Sequence, residues 1–170
     1  KTNKDFWNVF YKKKLAVSKP SNFAVFVKKF LKNYSSTIID VGCGNGRDLF
    51  YFKKNKFDIM GIELSKNAVS LIKKGLKNTK DKKKIIHSDF ASFDYKKNVK
   101  KKFSIYSRFT WHTINERSEG TLLKKISKIP NLEYIFVETR SDKDELCGVG
   151  KKISKNEFVT DHYRRFINKN

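Results

Sequence analysis

The sequence predicts an α/β fold, in which a mostly parallel, doubly wound β-sheet carries helices on both faces. Short apolar segments of strand type alternate along the chain with amphipathic helical segments, and a glycine-rich loop joins the first such strand to a helix. The chain has 170 residues, 38% of them apolar, which is enough for one domain with a buried core. An unrelated α+β arrangement is the alternative that this pattern leaves open.

Two helices are predicted before the first strand, over residues 5–15 and 21–34. Ser21 follows Pro20 and is suited to cap the second helix, whose phenylalanines recur on one face. The first helix contains the aromatic segment "DFWNVFY". That segment either forms a lid over a ligand pocket or packs as an ordinary core-facing stripe.

Strands and helices then alternate. Strands are predicted over 37–43, 57–64, 83–90, 102–110 and 132–140, with helices beginning near 47, 65 and 116. Ser65 is placed to cap the middle one of these three helices. In a parallel sheet of this kind, ligands bind beyond the carboxyl ends of the strands. We therefore expect a site where these strands end.

Charge and cysteine content bound the possible partners. The net charge of +22 indicates either RNA or another polyanion as a partner, or the lysine-rich composition typical of an AT-rich genome. Cys43 and Cys147 are unrelated in position, which favours a reducing, cytoplasmic compartment. No cysteine and histidine cluster has metal spacing, so no metal is expected. No apolar run reaches the roughly 20 residues of a membrane span, and no secretory leader is visible.

The loop in "IIDVGCGNGRDLFYF" carries Gly42, Gly44 and Gly46 at every second position. This spacing differs from the dinucleotide fingerprint G-x-G-x-x-G, and no Gly-Lys-Ser/Thr follows as in a P-loop. Glycine allows tight turns and lets a ligand touch the backbone. Asp40, just before the loop, favours pairing with a ligand's amino group. A plain strand-to-helix turn is the alternative.

Acidic residues also end the next two strands. Glu63 lies about 20 residues beyond the loop, where an acid commonly holds two ribose hydroxyls. Asp89 is suited to accept a hydrogen bond from an adenine amino group, with Phe90 packing beside the ring. Asp89 is equally suited to cap a turn.

Three motifs carry a family resemblance: "DVGCGNG" at 40–46, "GIELS" at 61–65 and "HSDF" at 87–90. In order and spacing they resemble the class I S-adenosylmethionine-dependent methyltransferases over about residues 36–140. The resemblance implies a Rossmann-like fold and S-adenosyl-L-methionine as cofactor. It implies as cofactor-binding residues Asp40, Gly42, Cys43, Gly44, Gly46, Glu63, Leu64, Asp89 and Phe90.

The resemblance also sets the expected organisation. A single methyltransferase domain is expected over 1–170, with an N-terminal helical lid over 1–35 and a cofactor-binding core over 36–140. Residues 141–170 are expected to form a substrate-side loop and the start of a helix. The family sheet has seven strands, and only five are predicted in this sequence. The C-terminal strands are therefore expected to be missing.

The sequence identifies the residues that would bind the methyl acceptor less clearly than those that would bind the cofactor. The Asn/Asp-Pro-Pro-aromatic motif of amino-methyltransferases acting on bases is absent after strand four, where "SRF" stands instead. Only six of the 39 basic residues are arginines, and arginine binds phosphates and carboxylates bidentately. We expect a rim that binds an anionic group of a small-molecule or glycan-type acceptor, formed by Arg108, Arg140, Tyr163 and Arg164. Ion pairs are the alternative for each arginine, with Glu138, Asp142, Asp144 or Asp161 as partners.

Two residues are candidates for catalytic roles. His112 is the best candidate for a general base if the acceptor is a hydroxyl, although a histidine beside Trp111 is also suited to packing. Tyr11 is suited to close over the methyl donor. An RNA methyltransferase that uses the basic surface, and a cofactor-binding scaffold subunit without activity, are the competing functions. Nothing in the sequence indicates an oligomeric state.

Overall fold

A computed structural model describes residues 3–12, 19–32 and 35–168. The helices are α1 (Asn3–Lys12), α2 (Asn22–Phe30), α3 (Arg47–Lys54), α4 (Lys66–Gly75), α5 (Thr79–Lys83), α6 (Tyr95–Asn98) and α7 (Glu116–Ile126). The strands are β1 (Thr37–Val41), β2 (Ile59–Glu63), β3 (Ile85–His87), β4 (Phe103–Arg108), β5 (Leu132–Glu138), β6 (Lys151–Ser154), β7 (Glu157–Val159) and β8 (Tyr163–Arg165). A single 3-10 turn, Trp111–Thr113, follows β4.

The main sheet has five parallel strands in the order β3-β2-β1-β4-β5. The chain moves outward from β1 to β3 on one side and then crosses to β4 and β5 on the other. The strand order therefore reverses beside β1, and the loops after β1 and β4 separate there to leave a crevice. Asp40 is in register with Gly61 of β2 and Tyr106 of β4, which places it at this point.

Both faces of the sheet are covered, which confirms the doubly wound fold. Alternate residues of β1 enter different cores: Ile38 packs with Val27 and Leu49 on one face, and Ile39 packs with Leu122 on the other. All five β1 residues are buried, including Thr37 and Asp40, as expected for a central parallel strand that is covered on both faces.

The helix starts agree with the sequence. Ser21 caps α2 by accepting a hydrogen bond from Ala24 N at 3.0 Å, and Ser65 caps α4 by accepting from Ala68 N at 3.3 Å. Helix α1 covers most of the predicted 5–15, of which 13–15 lie outside the described residues. The short helices α5 and α6 were not predicted, because neither has a full turn of apolar periodicity.

The C-terminal prediction is wrong. In place of a loop and the start of a helix, residues 151–165 form a three-stranded antiparallel sheet in the order β6-β7-β8. Gly148 and Gly150, both with φ near +90°, break the segment before β6. The Asn156 side chain donates a 3.0 Å hydrogen bond to Phe166 O, which continues the pairing between β7 and β8. These short segments satisfy their backbone hydrogen bonds by pairing with one another.

A buried ion pair docks this small sheet on the main domain. Arg165 Nη2 lies 2.7 Å from Glu119 Oε2 of α7, and Arg165 Nε donates to Ile114 O at 3.1 Å. None of the helices in the described ranges combines the length and the apolar character needed to cross a membrane.

Candidate active site

The glycine loop bends through backbone conformations that favour glycine. Gly42 and Gly44 have φ of +67° and +55°. A Cβ at Gly42 would collide with the Thr110 side chain, and a Cβ at Gly44 would collide with the Tyr11 hydroxyl. The loop is therefore bare because a side chain from beyond β4 and another from α1 approach it closely.

Glu63 fastens this loop to the end of β2. Its Oε2 accepts a hydrogen bond from Gly44 N at 2.9 Å, and its Oε1 accepts one from Ser65 N at 2.7 Å. Burial raises the pKa of Glu63, and these backbone amides oppose part of that rise. The carboxylate is thus held in one orientation and faces the cavity described below.

Asp40 lies deep beneath the loop with two other carboxylates nearby. Burial, and then the charges of Asp48 and Glu63, hold its pKa well above the ordinary value, while Arg47 lowers it. A buried group of like charges favours a cationic ligand, which would relieve their repulsion. An amino group is such a ligand.

Asp48 was not predicted as a site residue, although it directly follows the glycine loop. Its Oδ1 accepts from Ser21 N, and its Oδ2 accepts from Ser21 Oγ and from Tyr106 Oη, each at 2.8 Å. Arg47 Nε lies 3.5 Å from Asp48 Oδ1. This network joins α2, α3 and β4 at the floor of the site. The position of Asp48 directly after the glycine loop, in "GRD", is the sequence feature that could have identified it as a site residue.

A cavity of about 710 Å³ opens at the carboxyl edge of the sheet. Of the predicted cofactor residues it is lined by Asp40, Gly42, Cys43, Gly44, Glu63, Leu64, Asp89 and Phe90. Gly46 is the exception, since it lies against Phe50 and Ile72 at the start of α3. Further lining residues that the sequence did not single out are Trp7, Phe10, Asn45, Arg47, Asp48, Ile62, Ser88, Tyr106, Phe109, Thr110, Thr113 and Ile114.

Two of the lining residues have packing or capping roles as well. Burial, and then the charges of Asp40 and Glu63, raise the pKa of the Cys43 thiol, so it stays protonated. Its Sγ packs toward Gly61 of β2. Asp89 accepts a 2.9 Å hydrogen bond from Ala91 N. This contact is the turn-capping role that the sequence left open for Asp89.

Helix α1 covers the cavity with Trp7, Phe10 and Tyr11. Asn8 holds the helix in place: its Oδ1 accepts from Ser65 Oγ at 2.9 Å, and its backbone O accepts from Asn67 Nδ2 at 2.8 Å. The aromatic segment therefore lies over the site rather than in the main core. Burial, and then the charge of Glu63, raise the pKa of Tyr11, so its phenol stays protonated.

The predicted arginine rim forms only in part. Arg108 lines the cavity, with Nε 2.5 Å from Glu138 Oε2 and its guanidinium carbon 4.4 Å from the Phe109 ring centre. Arg140, Tyr163 and Arg164 do not line it. Arg140 pairs with Asp144 at 2.6 Å and Arg164 with Asp161 at 2.7 Å, in each case an acid three or four residues away in the chain. The ion-pair alternative therefore describes all three arginines.

His112 is also placed away from the cavity. It lies in the 3-10 turn after β4, is 3% exposed and does not line the cavity. Burial, and then the charge of Arg140, lower its pKa to about 3. The expectation that His112 faces the acceptor is wrong, because the left-handed backbone of Phe109 (φ +51°) turns the chain so that Phe109 and Thr110 reach the cavity instead.

Comparison with known proteins agrees with this architecture. The profile of a family described as methyltransferase domain matches residues 38–130. No curated protein sequence matches the chain significantly. Among solved structures, the glycopeptide N-methyltransferase MtfA complexed with S-adenosyl-L-methionine is 16% identical with a TM-score of 0.55, over 68% of this chain and 51% of that one.

Two further structures show the same fold. The CcbJ methyltransferase from Streptomyces caelestis is 12% identical, with a TM-score of 0.55 over 75% of this chain and 54% of that one. DesVI from Streptomyces venezuelae is 22% identical, with a TM-score of 0.50 over 76% and 52%. The chain thus spans about half the length of the solved structures that it resembles.

The cavity fits the cofactor that this family uses. S-adenosylmethionine has an ammonium group and a sulfonium, which suit the buried carboxylates around Asp40, and ribose hydroxyls, which suit the oriented carboxylate of Glu63. The Tyr11 hydroxyl lies close to Gly44, so that α1 covers the glycine loop. With the family profile covering more than half of its length, the chain belongs to the class I S-adenosylmethionine-dependent methyltransferases.

Proposed function

We propose that the protein transfers a methyl group from S-adenosylmethionine to a small-molecule or glycan-type acceptor bearing an anionic group. The observation that carries the proposal is the composition of the cavity lining. Carboxylates and the glycine loop lie at the ends of β1, β2 and β3, and Arg108, Phe109 and Thr110 come from the end of β4. The first group suits the cofactor, and Arg108 and Phe109 are left for an acceptor.

The bound cofactor supplies an electrophilic methyl group on a sulfonium sulfur. The chain's own residues bind and orient. Asp40 pairs with the ammonium group, Glu63 binds the ribose hydroxyls, and Asp89 with Phe90 holds the adenine. Tyr11 and the rest of α1 exclude water and hold the acceptor in line, which is the main contribution a protein makes to such a displacement.

Arg108 is the residue we assign to the acceptor's anionic group. Among the four predicted rim residues it alone lines the cavity, and its guanidinium lies beside the Phe109 ring. Arg140, only 5.4 Å from the same ring but outside the cavity lining, offers a matched comparison. The two residues differ in access to the cavity and not in charge.

The test is a screen for S-adenosylhomocysteine formation with phosphorylated and carboxylated small molecules and sugars. With an accepted substrate, Arg108→Ala raises the acceptor KM about tenfold or more, since a hydrogen bond to a charged group contributes roughly 1.5–3 kcal/mol. Arg140→Ala leaves that KM within about twofold. Equal effects of both variants would remove Arg108 from the acceptor site, and cofactor binding without any turnover would favour the scaffold function.

The cavity does not favour RNA as the methyl acceptor. Its charged lining residues are the acids Asp40, Asp48, Glu63 and Asp89 and the bases Arg47 and Arg108. The acids belong to the cofactor group, and Arg108 is the lining cation at the end of β4. One guanidinium suits a single anionic group, whereas a polynucleotide presents successive phosphates. The strongly basic surface therefore needs an explanation outside this cavity.

A further inference from the structure

A second cleft lies at the opposite edge of the sheet. It measures about 390 Å³ and is lined by Lys28, Lys32, Ser35, Ser36, Asn55, Lys56, Phe57 and Asp58. Residues 35–36 directly precede β1, and residues 55–58 directly precede β2. The cleft is therefore at the amino ends of the strands, whereas the cofactor cavity is at their carboxyl ends.

Three lysines converge on this cleft without acidic partners. Lys28 and Lys32 extend from α2, and Lys56 follows α3. None of the three makes an ion pair with any residue in the described ranges. Like charges that line one small cleft repel one another. A bound anion would offset this repulsion by its attraction to each ammonium group.

The single acid of the cleft is already neutralised. Asp58 pairs with Lys84 Nζ and accepts a 2.9 Å hydrogen bond from Thr37 Oγ1. Partial burial raises the pKa of Asp58, but the hydrogen bonds from Lys84 and Thr37 outweigh it and hold the pKa below its ordinary value. Lys101 also acts on Asp58 by its charge. The acid of the cleft is therefore not available to neutralise Lys28, Lys32 or Lys56.

Two details indicate a binding site rather than a random group of surface lysines. Ser36 is 4% exposed and lines the cleft. Lys56 has a left-handed backbone, with φ of +66°. After a helix end, that conformation usually belongs to glycine or asparagine. At position 56 the residue with this conformation is instead a lysine, which lines the cleft.

We propose that this cleft and the lysines beside it bind successive phosphate groups of a single-stranded nucleic acid. The lysines would neutralise phosphates, Ser36 would donate to a phosphate oxygen, and Phe57 offers an aromatic surface for a base. Three lysines without ion pairs to any described residue, together with an aromatic ring in the same cleft, suit a chain of phosphates and bases better than one isolated phosphate. The proposal is independent of the methyl acceptor, because the two sites occupy opposite edges of the sheet.

The test is fluorescence anisotropy with a labelled oligouridylate of about 12 nucleotides, titrated between about 50 and 200 mM salt. The variant carries Lys28→Gln, Lys32→Gln and Lys56→Gln together. Its control carries Lys151→Gln, Lys152→Gln and Lys155→Gln, which removes the same charge from the exposed β6–β7 hairpin. S-adenosylhomocysteine binding is also measured on every protein. Unchanged binding shows that the fold and the cofactor site are intact in a variant.

The cleft variant is expected to bind the oligonucleotide at least tenfold more weakly, with a salt slope smaller by about 2, since three contacts at about 0.7 each are lost. The control variant is expected to retain most of the wild-type slope. Equal losses in both variants would mean a diffuse attraction and would overturn the proposal, as would no binding by the wild-type protein. Pyrophosphate binding as tight as that of the oligonucleotide would also overturn it, in favour of a free phosphate compound.

Two single substitutions separate binding from folding. Lys56→Gly removes the cation and relieves the left-handed backbone, so we expect weaker oligonucleotide binding together with a higher melting temperature. Ser36→Ala is expected to weaken binding about two- to tenfold, as the loss of one hydrogen bond does. Unchanged binding in both variants would contradict the assignment of these residues.

Discussion

The backbone amide of Gly44 donates a 2.9 Å hydrogen bond to Oε2 of Glu63, which joins the glycine loop to the end of β2. The other oxygen of the same carboxylate accepts from Ser65 N, and the Ser65 hydroxyl donates to Asn8 of α1. One buried carboxylate therefore orders the loop and the start of α4, and through Ser65 it is connected to the helix that covers the cavity. The predictions below follow from this arrangement and from the charges around it.

Glu63→Ala should lower the affinity for S-adenosylmethionine and S-adenosylhomocysteine about 10- to 100-fold. The substitution removes a charged hydrogen-bond acceptor, whose contribution is roughly 1.5–3 kcal/mol. Calorimetric titration measures the loss. Glu133→Ala is the control, because Glu133 pairs with the exposed Lys102 and does not line the cavity. Similar affinities in both variants would contradict the role of Glu63.

Gly44→Ala should abolish measurable cofactor binding and lower the melting temperature. Its Cβ would collide with the Tyr11 hydroxyl, and the left-handed backbone costs a non-glycine residue roughly 1–2 kcal/mol. Gly120→Ala is the control, since nothing lies within 4 Å of a Cβ at this position in α7. That change should stabilise the protein by about 0.5–1 kcal/mol. The melting temperatures of the two alanine variants should therefore move in opposite directions, and only Gly44→Ala should lose cofactor affinity.

Asp40→Asn should stabilise the cofactor-free protein at neutral pH. Because burial, Asp48 and Glu63 raise the folded pKa of Asp40, the unfolded chain ionises first, and stability falls as pH rises through the folded pKa. The gain from asparagine should vanish below pH ~3, about one unit under the unfolded pKa, where Asp40 is protonated in both states. Thermal melts across pH measure this, paired with a loss of cofactor affinity.

Asp58→Asn is the comparison of opposite sign. The folded pKa of Asp58 is lowered, so its contribution to stability is present above its unfolded pKa and is lost as pH falls through the folded one. This variant should melt lower than the wild type at neutral pH. A common direction for Asp40→Asn and Asp58→Asn would show that the Asp40 environment is not the cause.

His112→Gln should weaken the pH dependence of stability in mild acid. Burial and Arg140 lower the pKa of His112 to about 3, so the unfolded chain takes up the proton first and stability declines as pH falls below about 6.5. The change in melting temperature between pH ~7 and ~5 should be smaller in this variant. His87→Gln, at the exposed end of β3, should keep the wild-type change. Equal changes in both variants would place the pH dependence elsewhere.

Asn8→Ala should loosen α1 without unfolding the protein. It removes the acceptor of the 2.9 Å bond from Ser65 Oγ, and one such bond contributes about 0.5–1.5 kcal/mol. Tryptic cleavage near Lys12 should accelerate about two- to tenfold, and cofactor affinity should fall by a similar factor. Asn98→Ala in α6, remote from α1, is the control. Faster cleavage with unchanged cofactor affinity would show that α1 does not close the cofactor site.

Much of the cofactor side followed from local pattern. The strand ends and the motifs "DVGCGNG", "GIELS" and "HSDF" are contiguous in sequence, and a parallel sheet brings its carboxyl ends to one edge. The residues missed there, Arg47 and Asp48, lie directly after the loop. The acceptor side was harder to predict, because Arg108, Arg140 and Arg164 are alike in sequence and only the fold decides that Arg108 lines the cavity and the other two do not.

The sequence by itself determined the parallel sheet, its helix caps and the acids beneath the glycine loop, because periodicity, capping and glycine spacing act within a few residues. Only the tertiary structure decided which distant side chains meet. It placed Tyr11 over Gly44 and Asp48 against Tyr106, and it turned His112 away from the cavity. It also folded residues 151–165 into a small sheet that is docked by the ion pair of Arg165 with Glu119 of α7. Such pairings join chain positions far apart, and local sequence does not encode them.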